Sequence, residues 1–329
     1  MNTLAPVLQM FFTDRLARQR GASPHTVAAY RDTMKLLLAF AERQTGKAPF
    51  RMDLADLDTD MISAFLDYLE NERGNSARTR NARLAAVHSL FRFAALLRPQ
   101  DAAIIQRVLA IPPKRVDQCL VTYLSDDEVD ALLAAPDRAT WTGRRDHALL
   151  TVAVHTGLRL SELINLTPAD VHLGTGAHLT CLGKGRKQRT TPLDPQTVAV
   201  VRAWLTENTT TGHEPLFPTR RGHRLSPDAV QQRLTHHAAT ATSTQPSLAG
   251  KKISPHTLRH TAAMRLLNAG VDTTVIALWL GHETVATTQI YIHADLAIKE
   301  RALARTTPAS TTPGRYRPSD TLITFLENL

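Results

Sequence analysis

His256 and Arg259, in the run Pro255-His256-Thr257-Leu258-Arg259-His260, lie three residues apart. On a helix they share a face, while Leu258, Met264, Leu266 and Leu267 can turn inward. Arginine presents a fixed fork of donors that matches phosphate oxygens, and a histidine donates to a further oxygen or moves a proton near neutral pH. Farther on, Thr287-Thr288-Gln289-Ile290-Tyr291 offers a phenol, a competent nucleophile wherever the charge it generates is stabilised. Blander roles exist for the same residues. An HxxRH run alone suits a helix cap or a solvated face, and Tyr291 beside Ile290 and Ile292 suits a half-buried core. A zinc site is disfavoured, because the metalloprotease pattern needs glutamate after the first histidine and this chain has Thr257.

A second arginine, Arg159, follows a glycine turn in His155-Thr156-Gly157-Leu158-Arg159-Leu160-Ser161-Glu162-Leu163, at the start of a helix with Leu160, Leu163 and Ile164 as its apolar stripe. A helix N-terminus and an arginine together suit an anion. Leu182-Gly183-Lys184-Gly185-Arg186-Lys187-Gln188-Arg189-Thr190-Thr191-Pro192-Leu193 reads as strand, cation-loaded turn and strand. It is not a phosphate loop, since His178 and Gly185 stand where that motif needs Gly and Ser or Thr.

The order and spacing of HTGLRLSEL, GKGRKQRTTPL, PHTLRH, LGH and TTQIYIH resemble the tyrosine recombinase (phage integrase) family, in its Xer-like branch, over nearly the whole chain. The resemblance implies Arg159 and Arg259 as paired clamps on a scissile phosphate, Lys184 as general acid for the leaving oxygen, His256 and His282 as assisting histidines, and Tyr291 as nucleophile. Glu162 would support Arg159 from behind. It further implies a site-specific DNA recombinase working through a 3′-phosphotyrosyl link, with self-association into a tetramer on two DNA sites and accessory DNA-bending or recombination proteins as further partners. Bond energy kept in that link lets a partner strand's hydroxyl religate without ATP, and side-chain cations leave no step that calls for a metal or other cofactor. Two rival readings remain open: a relaxing topoisomerase of the type IB kind, and a DNA-binding protein without catalysis.

Composition agrees with an anionic partner. The 329 residues carry a net charge of +9, while Cys119 and Cys181 are too few for a disulfide framework. No apolar run approaches membrane-spanning length, so the expectation is a cytoplasmic protein; the resemblance implies a nucleoid-associated, bacterial one.

The elements that must position these groups are mainly α-helical with a small antiparallel sheet. An N-terminal helical bundle (1–112), of the SAM-like core-binding kind by resemblance, precedes a linker (113–122), a mixed α/β catalytic domain (123–306) and a tether with an amphipathic C-terminal helix (307–329), which the resemblance implies docks in trans, docking back in cis being the alternative. Ser23-Pro24, Thr59 and Ser76 open bundle helices. The helix from Ser76 carries Arg78, Arg80 and Arg83 at its start, expected to project towards a duplex, with Lys114 and Arg115 in the linker over its backbone and Arg186, Lys187 and Arg189 as further DNA contacts. In the second domain a capping box at Ser125–Glu128, an almost wholly apolar helix near 144–155, strands near 171–173, 177–182 and 188–193, a helix with Val198, Val201 and Leu205 inward, and a mobile loop over 240–252 are expected.

Overall fold

The computed structural model describes residues 3–116, 121–183, 188–208 and 214–281. They belong to two compact units, Met1–Gln118 and Cys119–Leu329. Lys184, Arg186, Lys187, His282, Tyr291 and the expected C-terminal helix lie outside the described residues.

The first unit is helical. α1 (Leu4–Met10) runs into a π-helical stretch, Phe11–Gln19, followed by α2 (Pro24–Thr45), α3 (Thr59–Asn71), α4 (Ala77–Leu97) and α5 (Ala102–Leu109). Local chemistry sets the starts: side-chain oxygens of Ser23, Asp58 and Ser76 accept from the backbone nitrogens of Thr26, Met61 and Thr79. The expected inward set of α3, Ile62, Phe65, Leu66 and Leu69, is buried against Leu37 and Phe40 of α2 and Val87, Leu90 and Phe91 of α4.

The start of α4 departs from expectation. Arg80 does not project: its side chain is 8% exposed, with Nε 3.2 Å from Glu70 Oε2 of α3. The reason is helical geometry. Arg80 stands one turn before Leu84 on the face that the bundle buries, and Glu70 supplies the opposite charge that makes burial tolerable. Arg83 is half-buried near Thr33, and Arg78 alone of the three is exposed. Nor does Lys114 hang free in a linker. Its Nζ lies 2.7 Å from the same Glu70 carboxylate, and its backbone exchanges hydrogen bonds with Asn81 at 2.7 and 3.0 Å.

The second unit holds α6 (Asp126–Ala134), α7 (Trp141–Thr156), α8 (Leu160–Asn165), β1 (Val171–His172), β2 (His178–Leu182), β3 (Gln188–Pro192), α9 (Pro195–Glu207), α10 (Pro227–Ala241), α11 (Pro255–Asn268) and α12 (Thr273–Leu280). The strands form one antiparallel sheet in the order β1-β2-β3, with Leu179 opposite Thr191 and Cys181 opposite Arg189. Leu179 and Cys181 alternate into the core with the period-two pleat. The Ser125–Glu128 capping box forms as the spacing predicts.

Three features differ from expectation. α7 begins at Trp141, capped by Thr140, and buries the charged pair Arg145 and Asp146 among its apolar residues. α9 turns Val201, Trp204 and the partly buried Leu205 to the core, whereas Val198 stays half-buried outside that cluster; the Trp204 indole donates to Leu216 O at 2.7 Å. Residues 240–252 are no free loop. Leu248 is buried, Ser247 Oγ donates to Glu128 at 2.6 Å, and Lys251 Nζ lies 2.7 Å from the same carboxylate. Burial raises the cost of Glu128's charge, but Lys251, Ser247 and the Ser125 amide outweigh it and hold its carboxyl below the usual range.

Candidate active site

Two arginines from distant segments meet at the end of α12. α7 stops at Gly157, whose φ of +63° needs glycine and which has no room for a side chain, because a Cβ would stand 2.7 Å from Leu280 Cδ2. The turn delivers Arg159 to the N-cap of α8, where Glu162 accepts from the Arg159 amide at 2.7 Å and from its Nη1 at 2.9 Å. α11 starts with its own capping box between Ser254 and Thr257, which puts Arg259 on the buried side of the helix's second turn. Arg259 is 4% exposed. Its Nη1 donates to Gly157 O at 2.7 Å and its Nη2 to Leu280 O at 2.6 Å, while Arg159 Nη2 donates to Gly281 O at 2.7 Å.

The acceptors have a physical cause. The last carbonyls of a helix lack intrahelical partners and form its negative end, so they draw cations. α12 ends in Leu280 and Gly281, with Gly281 at φ +66°. Trp279 anchors that end by donating its indole N–H to Thr156 O at 3.1 Å.

A third guanidinium joins them. Arg189 of β3 donates Nη2 to Glu162 Oε2 at 2.7 Å and Nη1 to Leu280 O. The sequence reading gave Arg189 only a place among DNA-contacting cations. Its side chain is 11% exposed, in the arginine cluster. Strand alternation held the signal, since Arg189 shares a face with the buried Thr191. Cys181, directly across the ladder, is a free buried thiol whose pKa burial pushes up, which keeps it protonated and unreactive.

His256 is exposed on the first turn of α11, and its ring lies 6.5 Å from that of His260. Burial foremost, with the charges of His256 and Arg259, lowers the His260 pKa to about 4. The unfolded chain therefore takes up the proton first, near pH ~6.5, so the contribution of neutral His260 is whole above that pH and is lost as pH falls towards about 4. After allowing for the ring's partial solvent contact, it amounts to about 2 kcal/mol. We expect His260→Gln to flatten the fall in urea midpoint between pH 7 and 4.5. An unchanged slope would assign that fall elsewhere.

Among the described residues no group of three or more His, Cys, Asp or Glu side chains stands together as a metal site, and no helix is long and apolar enough to cross a membrane.

Comparison with known proteins gives these features a context. Residues 122–297 match the Phage integrase family, and residues 11–96 match the Phage integrase, N-terminal SAM-like domain. A Sinorhizobium fredii protein provisionally named integrase/recombinase y4rC is 56% identical over 327 residues, covering 99% of this chain and 98% of that protein. Tyrosine recombinase XerD of Pseudomonas putida is 33% identical over 293 residues, covering 86% of this chain and 91% of the relative. In fold, the chain is similar to the XerH site-specific recombinase bound to palindromic difH substrate, with a TM-score of 0.67 at 22% identity over 87% of this chain and 81% of that one. Two successive domain matches and full-length relatives therefore agree with the paired arginines: the chain belongs to the phage integrase, or tyrosine recombinase, family.

Proposed function

We propose that this recombinase cuts and rejoins duplex DNA at a specific site, with Tyr291 as nucleophile and Arg159 and Arg259 as the clamps on the scissile phosphate. The observation that carries the reading is the meeting of those two guanidiniums at Leu280 and Gly281, immediately before His282 in the chain.

A phosphodiester resists attack for two reasons: it repels an anionic nucleophile, and its alkoxide leaves poorly. The arginine pair answers the first by donating to the non-bridging oxygens as charge builds. His256 and His282 add donors to the same oxygens. Lys184 answers the second by protonating the departing 5′ oxygen. The Tyr291 oxygen forms a bond to phosphorus as the bond from phosphorus to the 5′ oxygen breaks. This leaves a 3′-phosphotyrosyl link and a free 5′ hydroxyl. A partner strand's 5′ hydroxyl then reverses the step, and the tyrosine regains its proton.

The wider reading follows the same family. Residues 1–112 form the DNA clamp, 113–122 the linker, 123–306 the catalytic domain and 307–329 a tail that docks on a neighbouring copy. Four copies assemble on two sites, with accessory DNA-bending proteins. The exposed Arg78 and Arg115, with Arg186 and Lys187, contact backbone phosphates, whereas Arg80 and Lys114, both paired with Glu70, do not. The protein acts in the bacterial cytoplasm on the nucleoid, in integration and excision, transposon movement or dimer resolution.

Nicked duplexes tiling the DNA that flanks the gene test this directly. The wild-type protein is expected to leave a detergent-stable adduct at one site, unaffected by chelators, and Arg259→Ala should slow its formation by about 10³-fold. No adduct on any tile, or adduct formation unaltered in Arg259→Ala, would refute the proposal. A plasmid with two copies of that site yields exchanged circles from a recombinase and only relaxed ones from a topoisomerase.

A further inference from the structure

Arg189 is the one described residue that shares an acceptor with each of the two clamps. Its Nη2 meets Glu162 Oε2 at 2.7 Å, while Arg159 holds Oε1 of that carboxylate at 2.9 Å. Its Nη1 donates to Leu280 O, which also accepts from Arg259 at 2.6 Å. Space is closed around it: a Cβ on Gly281 would stand 2.5 Å from Arg189 Nη1.

From this geometry we infer that Arg189 is a positioning residue for the cleavage reaction, setting the spacing and the net charge of the Arg159–Arg259 clamp without touching the phosphate itself. The inference rests on the recombinase reading of the site.

Two effects make the argument. The first is electrostatic. Glu162 is buried, its side chain 3% exposed, and two guanidiniums draw on its single charge. Arg159 is thereby only partly neutralised. Without Arg189, the carboxylate faces Arg159 alone: its Oε1 keeps the Arg159 guanidinium and its Oε2 the Arg159 amide, so its whole charge falls on that one residue. A clamp already satisfied by a carboxylate stabilises a developing phosphorane charge less. The second effect is geometric. Leu280 O and Gly281 O hold the tips of Arg259 and Arg159, so the position of this helix end sets the distance between the two clamps. Arg189 fastens that end to β3, an element tied to neither α8 nor α11 by sequence. Among the described residues the buried Nε of Arg189 has no hydrogen-bond partner, and its ties to Glu162 and Leu280 run through its two Nη atoms.

A merely structural role would predict something different. A staple that only stabilises the fold lowers cleavage in step with folding, whatever the charge on the reacting linkage. A residue that tunes the clamp acts in proportion to the charge the clamp must meet.

The experiment uses the full-length protein and the duplex that adduct mapping identifies. It carries either an ordinary scissile phosphate or a methylphosphonate, which lacks the charged non-bridging oxygen. Single-turnover adduct formation, equilibrium DNA binding and thermal melting are measured for wild type, Arg189→Gln and Arg189→Lys. On the ordinary phosphate Arg189→Gln is expected to form adduct about 10²-fold more slowly, the loss typical of a misplacement of about 1 Å at a reacting centre. DNA affinity should stay within about threefold, because phosphate contacts spread along the duplex carry binding. On the methylphosphonate the deficit should shrink to less than about tenfold, since the demand on the clamp is halved.

Arg189→Lys keeps a cation for Glu162 but cannot span both acceptors. It is expected to fold and to lose about tenfold on the ordinary phosphate, with the same dependence on linkage, and it serves as the test if the glutamine variant melts below the assay temperature. Both variants within twofold of wild type, or equal deficits on the two linkages, would overturn the inference while leaving the recombinase reading intact. A wild-type protein that formed no adduct on either duplex would overturn the recombinase reading, and this inference with it.

Discussion

Tyr291→Phe is expected to abolish the covalent adduct, a fall of more than about 10⁴-fold to background, while leaving DNA affinity within about twofold. The substitution removes one oxygen, the atom that bonds to phosphorus in the proposed mechanism. Nothing else in the proposed mechanism replaces it, because the arginines and histidines stabilise charge without forming a bond. Binding survives for the complementary reason: it depends on cations spread over the duplex backbone.

Of the other tyrosines, Tyr68 is the chemical rival. The Arg73 and Arg43 guanidiniums hold its phenol below the ordinary value, and Arg43 lies 4.8 Å from the ring centre. Yet Tyr68 packs against Phe40 at 5.1 Å in the first unit's core, and Tyr30 stacks on Phe11 at 6.2 Å. Tyr68→Phe is the matched control and should trap DNA as wild type does. Trapping by Tyr291→Phe at the wild-type rate would remove Tyr291 from the mechanism.

The largest effect on stability is expected from Asp146→Ala. Asp146 receives Arg145 Nε and Nη2 at 3.0 and 2.6 Å, Arg233 Nη1 at 3.1 Å and His237 Nε2 at 3.0 Å. Arg145 is only 1% exposed, and its other tie is to Pro218 O at 2.9 Å. Deleting the carboxylate leaves a buried cation without its counter-charge, which costs about 3–5 kcal/mol.

Urea unfolding of the variant measures it, with Arg145→Met/Asp146→Leu beside it. The double variant buries no charge at that point and should regain a good part of the loss, although Arg233 and His237 still lack their acceptor. If Asp146→Ala lost under about 1 kcal/mol, the network would contribute little to stability.

The pH dependence separates the two buried groups. Burial works against the Asp146 charge, but the His237 hydrogen bond and the Arg145 charge outweigh it, so its carboxyl sits below the ordinary range. Its contribution is present above the unfolded value, near ~3.9, and is lost only as pH falls through the lower folded value. Stability lost between pH ~6.5 and about 4 therefore belongs to groups such as His260, and the loss below that window to carboxyls held low, Asp146, Glu128 and Asp194 among them.

What the sequence by itself determined is local or carried by motif. Ser23, Ser76 and Ser125 start helices because their side chains reach amides three residues on, a relation that the sequence itself displays. Gly157 and Gly281 end helices for the equally local reason that a left-handed residue is needed there. The motif order carried the family, and spacing put Arg159 beside Glu162; it put Arg259 on one face with His256, whereas the structure buries Arg259 and leaves His256 exposed.

Tertiary structure decided which groups answer each other's charge. Arg80 looked like a cation projecting towards a duplex until Glu70 of α3 appeared beside it. Residues 240–252 looked mobile until Ser247 and Lys251 were found on Glu128, more than a hundred residues earlier. The polar centre of α7 was invisible because its partners, Arg233 and His237, sit on α10. Arg189 became part of the site through Leu280, ninety-one residues on. Periodicity reports which face of an element is buried; it is blind to what waits on the other side. A buried charge survives only where an opposite charge or a helix end meets it, and that meeting is a property of folded space.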